Sequence, residues 1–180
     1  IPIFVDIDEK DLMIDMQLTK KILKKKKEIA FLMVLSPLGH KVDITYLNHL
    51  SKKIKLPIVY DAADNFLNLN KNITNNKIFI TTSFHPTKTF GGNESGMIIT
   101  PSKHANSIKN LINFGINKYI GFNGKFSEYD AAILLANYDQ LKKREKKLKT
   151  IHKIFNKKLN KNYTLTDLNN YKSNKLFFYS

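Results

Sequence analysis

The 180-residue chain has no cysteine, no tryptophan and a single arginine, Arg144. Without cysteine there are no disulfides, no thiolate metal sites and no cysteine nucleophile, which suits a reducing cytoplasm. No metal site suggests itself. No apolar run approaches the roughly 18 residues of a membrane span, and no signal-peptide pattern is present. The sequence therefore reads as soluble and cytoplasmic. Acidic residues are scarce: 15 Asp and Glu face 30 Lys and Arg, for a net charge of +15. Such a balance invites a nucleic-acid reading. Lysine cannot imitate the planar fork with which arginine reads phosphates and bases, and here nearly every cation is lysine. Abundant Lys, Asn and Ile match an A+T-rich coding sequence instead. A basic nucleic-acid-binding protein stays as the alternative reading.

What is present suffices for folding. A 42% hydrophobic content with 12 Phe supports a real core, and the length fits one domain comfortably. The chain lacks an initiator Met, opens in the apolar run IPIFVD and closes in LFFYS, so a segment of a longer protein is expected.

Apolar patterning alternates between two periods. Ile1–Val5, Ile29–Leu35, Ile58–Tyr60, Ile78–Thr82, Met97–Ile99 and Leu176–Tyr179 read as strands. Leu18, Ile22 and Leu23 mark an amphipathic helix. Asp43 caps a second helix with Tyr46, Leu47, Leu50 and Ile54 on one face. Ser102 or Ser107 opens a third, carrying Ala105, Ile108, Leu111 and Ile112. Ser127 and Asp130 form an S-x-x-D capping box before one long helix whose apolar positions are Leu134, Tyr138, Leu141, Leu148, Ile151, Phe155 and Leu159. The run Lys142–Lys147 reads as its solvated face. Strands alternating with helices over short connections predict α/β layers on a mostly parallel sheet. The long helix predicts a crossing into a second, smaller domain.

Chemistry concentrates in residues 77–100, KIFITTSFHPTKTFGGNESGMIIT. A buried strand runs into Ser83, His85, Thr87 and Lys88, and Gly91, Gly92 and Gly96 loosen the chain before the next apolar run. Asp61 likewise follows a strand. Parallel strands share their carboxyl edge, so both groups are placed toward one crevice. A carboxylate and a lysine there allow a plain ion pair. They also allow a pyridoxal phosphate site, which needs an amine, an acid at the pyridine nitrogen, and hydroxyl and N–H donors for its phosphate.

The segment SFHPTKTFGGNESG resembles the active-site segment of the DegT/DnrJ/EryC1/StrS sugar aminotransferases. IPIFVDIDEKDLMID, LPIVYDAAD and NGKFSEYDAAILLANYDQL are similar to three further blocks of that family, in the same order. The resemblance implies a fold-type-I pyridoxal-phosphate enzyme with a three-layer α/β/α large domain. Part of that domain would span residues 1–126, the interdomain helix 127–160 and the start of a truncated small domain 161–180. It further implies Lys88 as the Schiff-base lysine, Asp61 at the pyridine nitrogen, and Ser83 at the cofactor phosphate. Asn123 would reach the phosphate site of the other subunit in a homodimer with shared active sites. His85 is a packing neighbour on this reading, and Glu94 has no chemical role.

The implied reaction moves an amino group, with glutamate as donor, onto a nucleotide-linked keto-sugar such as a 4-keto-6-deoxyhexose. A lysine at 88 argues against the family's dehydratase branch, which carries histidine there. A catalytically silent relative or fragment, or amination of a cyclitol ketone, is the competing reading. Asp64 departs from the family, standing where many members have Gln or His beside the cofactor's phenolic oxygen. A carboxylate facing that oxyanion is repelled, so Asp64 is expected to turn away, to be protonated, or to mark a variant subgroup. Ser95 replaces a usual glycine. The family's amino-terminal phosphate loop has no counterpart before Ile1.

Overall fold

The computed structural model describes residues 1–9, 12–25, 28–37, 42–69, 77–115 and 120–158. Its elements run α1 (Met16–Lys25), β1 (Leu32–Leu35), α2 (Ile44–Ile54), β2 (Ile58–Asp61), β3 (Ile78–Ser83), β4 (Gly96–Ile99), α3 (Ser102–Ile112), α4 (Glu128–Asp139) and α5 (Leu141–Lys158). The strands form one sheet in the order β1-β2-β3-β4. The first three are parallel, with Leu32 opposite Ile58 and Ile58 opposite Ile78. β4 returns antiparallel to β3, pairing Ser83 with Gly96. The α/β class with a mostly parallel sheet is thus as the sequence predicts.

Strand alternation decides which side chains enter the core. Leu32, Val34, Ile58, Tyr60, Ile78 and Ile80 point to one face and are buried there with Leu47 and Leu50 of α2. Met16 and Ile14 close the same core from the α1 side. Asp43 starts α2 as read from sequence, its carboxylate accepting from Thr45 N at 2.8 Å. The opposite face holds Met33, Leu35, Val59, Asp61, Phe79, Thr81 and Ser83. α3 lies on that side, where the His104 ring meets Phe79 at 5.2 Å.

Three expectations are corrected. Ile1–Val5 forms no strand; the nearest pairing is an isolated bridge of Ile7 to Ile14, and Ile1 and Phe4 are exposed. The strand expected over Ile29–Leu35 begins at Leu32, and Met33 and Leu35 stay about half exposed, so it is buried on one face only. The single long helix is two. α4 ends at Asp139, Gln140 caps it through its N–H to Tyr138 O, and α5 restarts at Leu141. The apolar spacing continues through this joint, which is why periodicity alone did not reveal it. The Leu176–Tyr179 strand and the position of Leu159 lie outside the described residues. No helix among the described residues is long and apolar enough to cross a membrane.

Candidate functional site

β3 and β4 are the two stems of a loop, residues 84–95, that carries Lys88. Phe84 N donates to Ser95 O at 2.8 Å, closing the neck, and Gly92 N returns to Phe84 O at 2.8 Å. Within it, Lys88 N donates to His85 O at 2.9 Å, forming a tight turn. Gly91 is required where it stands, because a Cβ would sit only 2.5 Å from the Phe84 carbonyl oxygen.

Aromatic packing anchors the loop. Phe90 stacks on Phe66 with centroids 5.1 Å apart and planes 18° from parallel. Phe84 meets both rings edge-on, at 5.1 and 5.7 Å. Leu134 of α4 is buried with Phe84 and Phe90, forming a second core distinct from that of the sheet. Two polar ties join helix and loop: Asn137 Nδ2 donates to Gly91 O at 2.9 Å, and Asn93 Nδ2 donates to Asp130. Asp130 also accepts from Ser127 Oγ at 2.6 Å, and its N–H donates to Ser127 Oγ at 3.0 Å, so Ser127 caps α4 as expected, with the Asp130 carboxylate meeting the Ser127 hydroxyl.

The neighbouring turn is equally constrained. Asp61 ends β2, and its carboxylate accepts from Ala63 N at 3.0 Å. Ala62 N donates to Thr81 O at 2.8 Å, and buried Thr82 Oγ1 donates to Ala62 O at 3.2 Å. Below, Asn65 Nδ2 donates to the buried Tyr60 hydroxyl at 2.7 Å. Burial pushes the Tyr60 phenol above its ordinary value, against the opposing pull of hydrogen bonds from Ser36 and Asn65.

Asp61 and Ser83 lie on one face of the sheet, at the ends of adjacent parallel strands, as the sequence implied. Ser83 Oγ accepts from His85 N at 3.1 Å. The amine of Lys88 is ion-paired at 2.8 Å, and its partner is Asp64, not Asp61. Both side chains are roughly one-third exposed. Asp64 thus has a cation beside it that balances its charge. Among the described residues Asn123 shares no hydrogen bond or ion pair with this group. It is exposed and bridged to Asn113 beyond α3.

Sequence reasoning named His85 and Glu94 but did not foresee their contact. His85 Nε2 lies 2.9 Å from Glu94 Oε1, and His85 Nδ1 accepts from Thr87 N at 3.2 Å. The proton of a neutral ring thus sits on Nε2, donated to Glu94 across the neck of the loop. The spacing of nine residues across a glycine-rich turn was the available signal. It also missed Asn93 and Asn137, which nothing in a single sequence brings together.

This is an α/β protein whose parallel strands bring carboxylates and a loop-borne lysine to one carboxyl edge, the edge where such folds place ligands. The sequence profile of the DegT/DnrJ/EryC1/StrS aminotransferase family matches residues 1–179, and the chain belongs to that family. It is 32% identical over 149 residues to dTDP-4-amino-4,6-dideoxy-D-glucose transaminase of Shigella dysenteriae, covering 78% of this chain and 40% of that protein. It is 24% identical over 193 residues to UDP-4-amino-4,6-dideoxy-N-acetyl-beta-L-altrosamine transaminase of Campylobacter jejuni, covering 98% and 50%. Among solved structures it superimposes on a Bacillus cereus protein assigned as a PLP-dependent aminotransferase with a TM-score of 0.75 at 31% identity, covering 87% of this chain and 45% of that one. The chain thus spans about half the length of the relatives it matches.

Proposed function

We propose that this chain is part of a pyridoxal-phosphate-dependent aminotransferase that moves an amino group from glutamate to a nucleotide-linked keto-sugar in amino-sugar biosynthesis. The observation that carries the reading is Lys88, presented on a clamped loop just past β3, with Asp61 and Ser83 on one face at the adjoining strand ends. The donor set fits the cofactor: a primary amine, a carboxylate and a hydroxyl, the three groups its aldehyde, ring nitrogen and phosphate require. When bound, the cofactor supplies an electron sink for cleavage at the donor's α-carbon.

The chain's own residues divide the rest. Lys88 holds the cofactor and, when released from it, carries a proton to and from the donor's α-carbon. Asp61 keeps a proton on the ring nitrogen, and its own orientation is held by Ala63 N. Ser83 donates to the phosphate from the end of β3. Asn123, exposed on its surface, reaches the second subunit of a homodimer with shared sites. α4 and α5 lead toward a small domain beginning near residue 161, and the enzyme works in the cytoplasm. The two curated relatives differ in nucleotide and sugar, so the reading extends to the class of nucleotide-linked keto-sugar and no further.

The test is substitution of Lys88 by Ala or Gln in the complete protein. The wild type should bind pyridoxal phosphate with a visible chromophore that borohydride traps on Lys88. The variants should lose both the trapped adduct and amino transfer to the keto-sugar. Wild-type turnover without Lys88 would overturn the assignment. Salt-sensitive retention of nucleic acid with no chromophore would favour a binding protein instead.

A further inference from the structure

We propose that Asp64 is the resident counter-ion of Lys88, and that their ion pair competes with capture of an aldehyde by the Lys88 amine. The inference rests on the reading of Lys88 as the amine that holds a carbonyl compound, and it adds a residue that works against that capture.

The pair is built into the backbone. Asp64 sits in a turn fixed at both ends, by Asp61 accepting from Ala63 N and by Asn65 N donating to Ala62 O at 2.8 Å. Asn65 is itself tied to the buried Tyr60 hydroxyl. Lys88 sits in a turn closed by its own N–H to His85 O. Two independently clamped turns thus deliver a carboxylate oxygen to within 2.8 Å of the lysine nitrogen. The contact of His85 with the Glu94 carboxylate in the loop is far more open, its Glu94 side chain being 80% exposed.

A lysine nitrogen engaged as an ammonium has no lone pair to offer. To capture an aldehyde it must leave Asp64 and release a proton to solvent. Its lone pair then attacks the carbonyl carbon, a carbon–nitrogen double bond forms, and the carbonyl oxygen departs as water. Asp64 favours the paired state and so slows the first event. Because both side chains are partly exposed, the effect is modest, about two- to fivefold in rate. It is also sensitive to salt, which screens partly exposed pairs.

The test measures Lys88 alone, without turnover. Cofactor-free protein is treated with pyridine-4-carboxaldehyde, a neutral aldehyde, and cyanoborohydride supplies the hydride that fixes the adduct. Peptide mass spectrometry then follows Lys88 relative to the exposed Lys142 and Lys143 of α5 as internal references. In D64N, Lys88 should react about two- to fivefold faster than in wild type at low salt. Wild-type Lys88 should accelerate as NaCl rises toward about 1 M, where screening acts within about 3 Å, while D64N stays flat. Equal or slower reaction in D64N overturns the proposal. So does a salt-insensitive wild type, an arm that decides the matter even should D64N not fold. Incubation with pyridoxal phosphate is scored separately. If Lys88 never carries it, the functional reading fails whatever the Asp64 result.

Discussion

Phe90→Ala should cost about 3 kcal/mol of stability and loosen the loop that carries Lys88. Phe90 is 6% exposed, so nearly the whole ring is out of water. Its burial is worth about 1.5–3 kcal/mol, and truncation leaves a cavity that brings the usual loss for buried phenylalanine to about 3–5 kcal/mol. Three ring contacts run through it: stacked on Phe66, edge-on to Phe84, and edge-on to Tyr138 at 6.1 Å. Such contacts add about 0.5–1.5 kcal/mol each in favourable settings. The cluster lies near the surface, with Tyr138 well exposed, so neighbouring rings can partly close the gap. That puts the expectation at the lower end of the range. The assay is equilibrium urea unfolding, read as a shift in midpoint at unchanged slope. Phe90→Leu, which keeps most of the volume, should cost about 1.5 kcal/mol or less. Hydrogen exchange should report the loss locally, with amides of residues 84–95 exchanging faster while those of β1–β3 keep their protection. A loss below about 1 kcal/mol, or faster exchange spread evenly over the sheet, would refute the idea that this cluster anchors the loop.

Tyr60→Phe should produce crossing stability curves. Burial raises the phenol above 10.0, so the fold prefers the neutral form; its contribution is complete below about pH 10 and drains away as pH rises further. The variant should lose that alkaline sensitivity but sit about 1–3 kcal/mol lower at neutral pH, because the Asn65 amide loses its acceptor. Denaturation midpoints between pH 7 and 11 check both arms. Gly92→Ala should cost about 1–3 kcal/mol, since a Cβ there meets Asn137 Nδ2 at 2.7 Å and Ile133 Cγ2 at 2.9 Å. Adding Asn137→Ala should recover part of the loss, a coupling that a double-mutant cycle measures. Asp43→Ala should remove the cap of α2 for about 1 kcal/mol without changing Lys88 adduct formation.

The sheet and its flanking helices were legible because burial in them is periodic. Leu47 and Leu50, or Ile58 and Tyr60, repeat at the spacing of their element, and Asp43 and Ser127 announce helix starts by side-chain chemistry. Ile1–Val5 misled because an apolar run states only a wish for burial, and no ladder partner accompanies it. The joint at Gln140 escaped because a break need not interrupt an apolar stripe. In the site, Lys88, Asp61 and Ser83 were accessible from strand ends and family resemblance. The pairing of Lys88 with Asp64 was not. Three residues past the end of β2, the direction of a side chain depends on backbone angles set by contacts with β3 and Tyr60. These are long-range facts, and a single sequence carries no coordinate for them.

The neck between Phe84 and Ser95 has an evolutionary consequence. A loop tied at its base, with stems paired in the sheet, can change length at little thermodynamic penalty, since closure entropy grows only as the logarithm of length. The aromatic anchor meanwhile keeps the loop against α4 whatever its tip contains. Tip residues 86–89, which take no part in that anchor, are thereby released from most duties toward folding. Changes there act on the position of one amine, so selection on chemistry and selection on stability fall on separable parts of the same dozen or so residues.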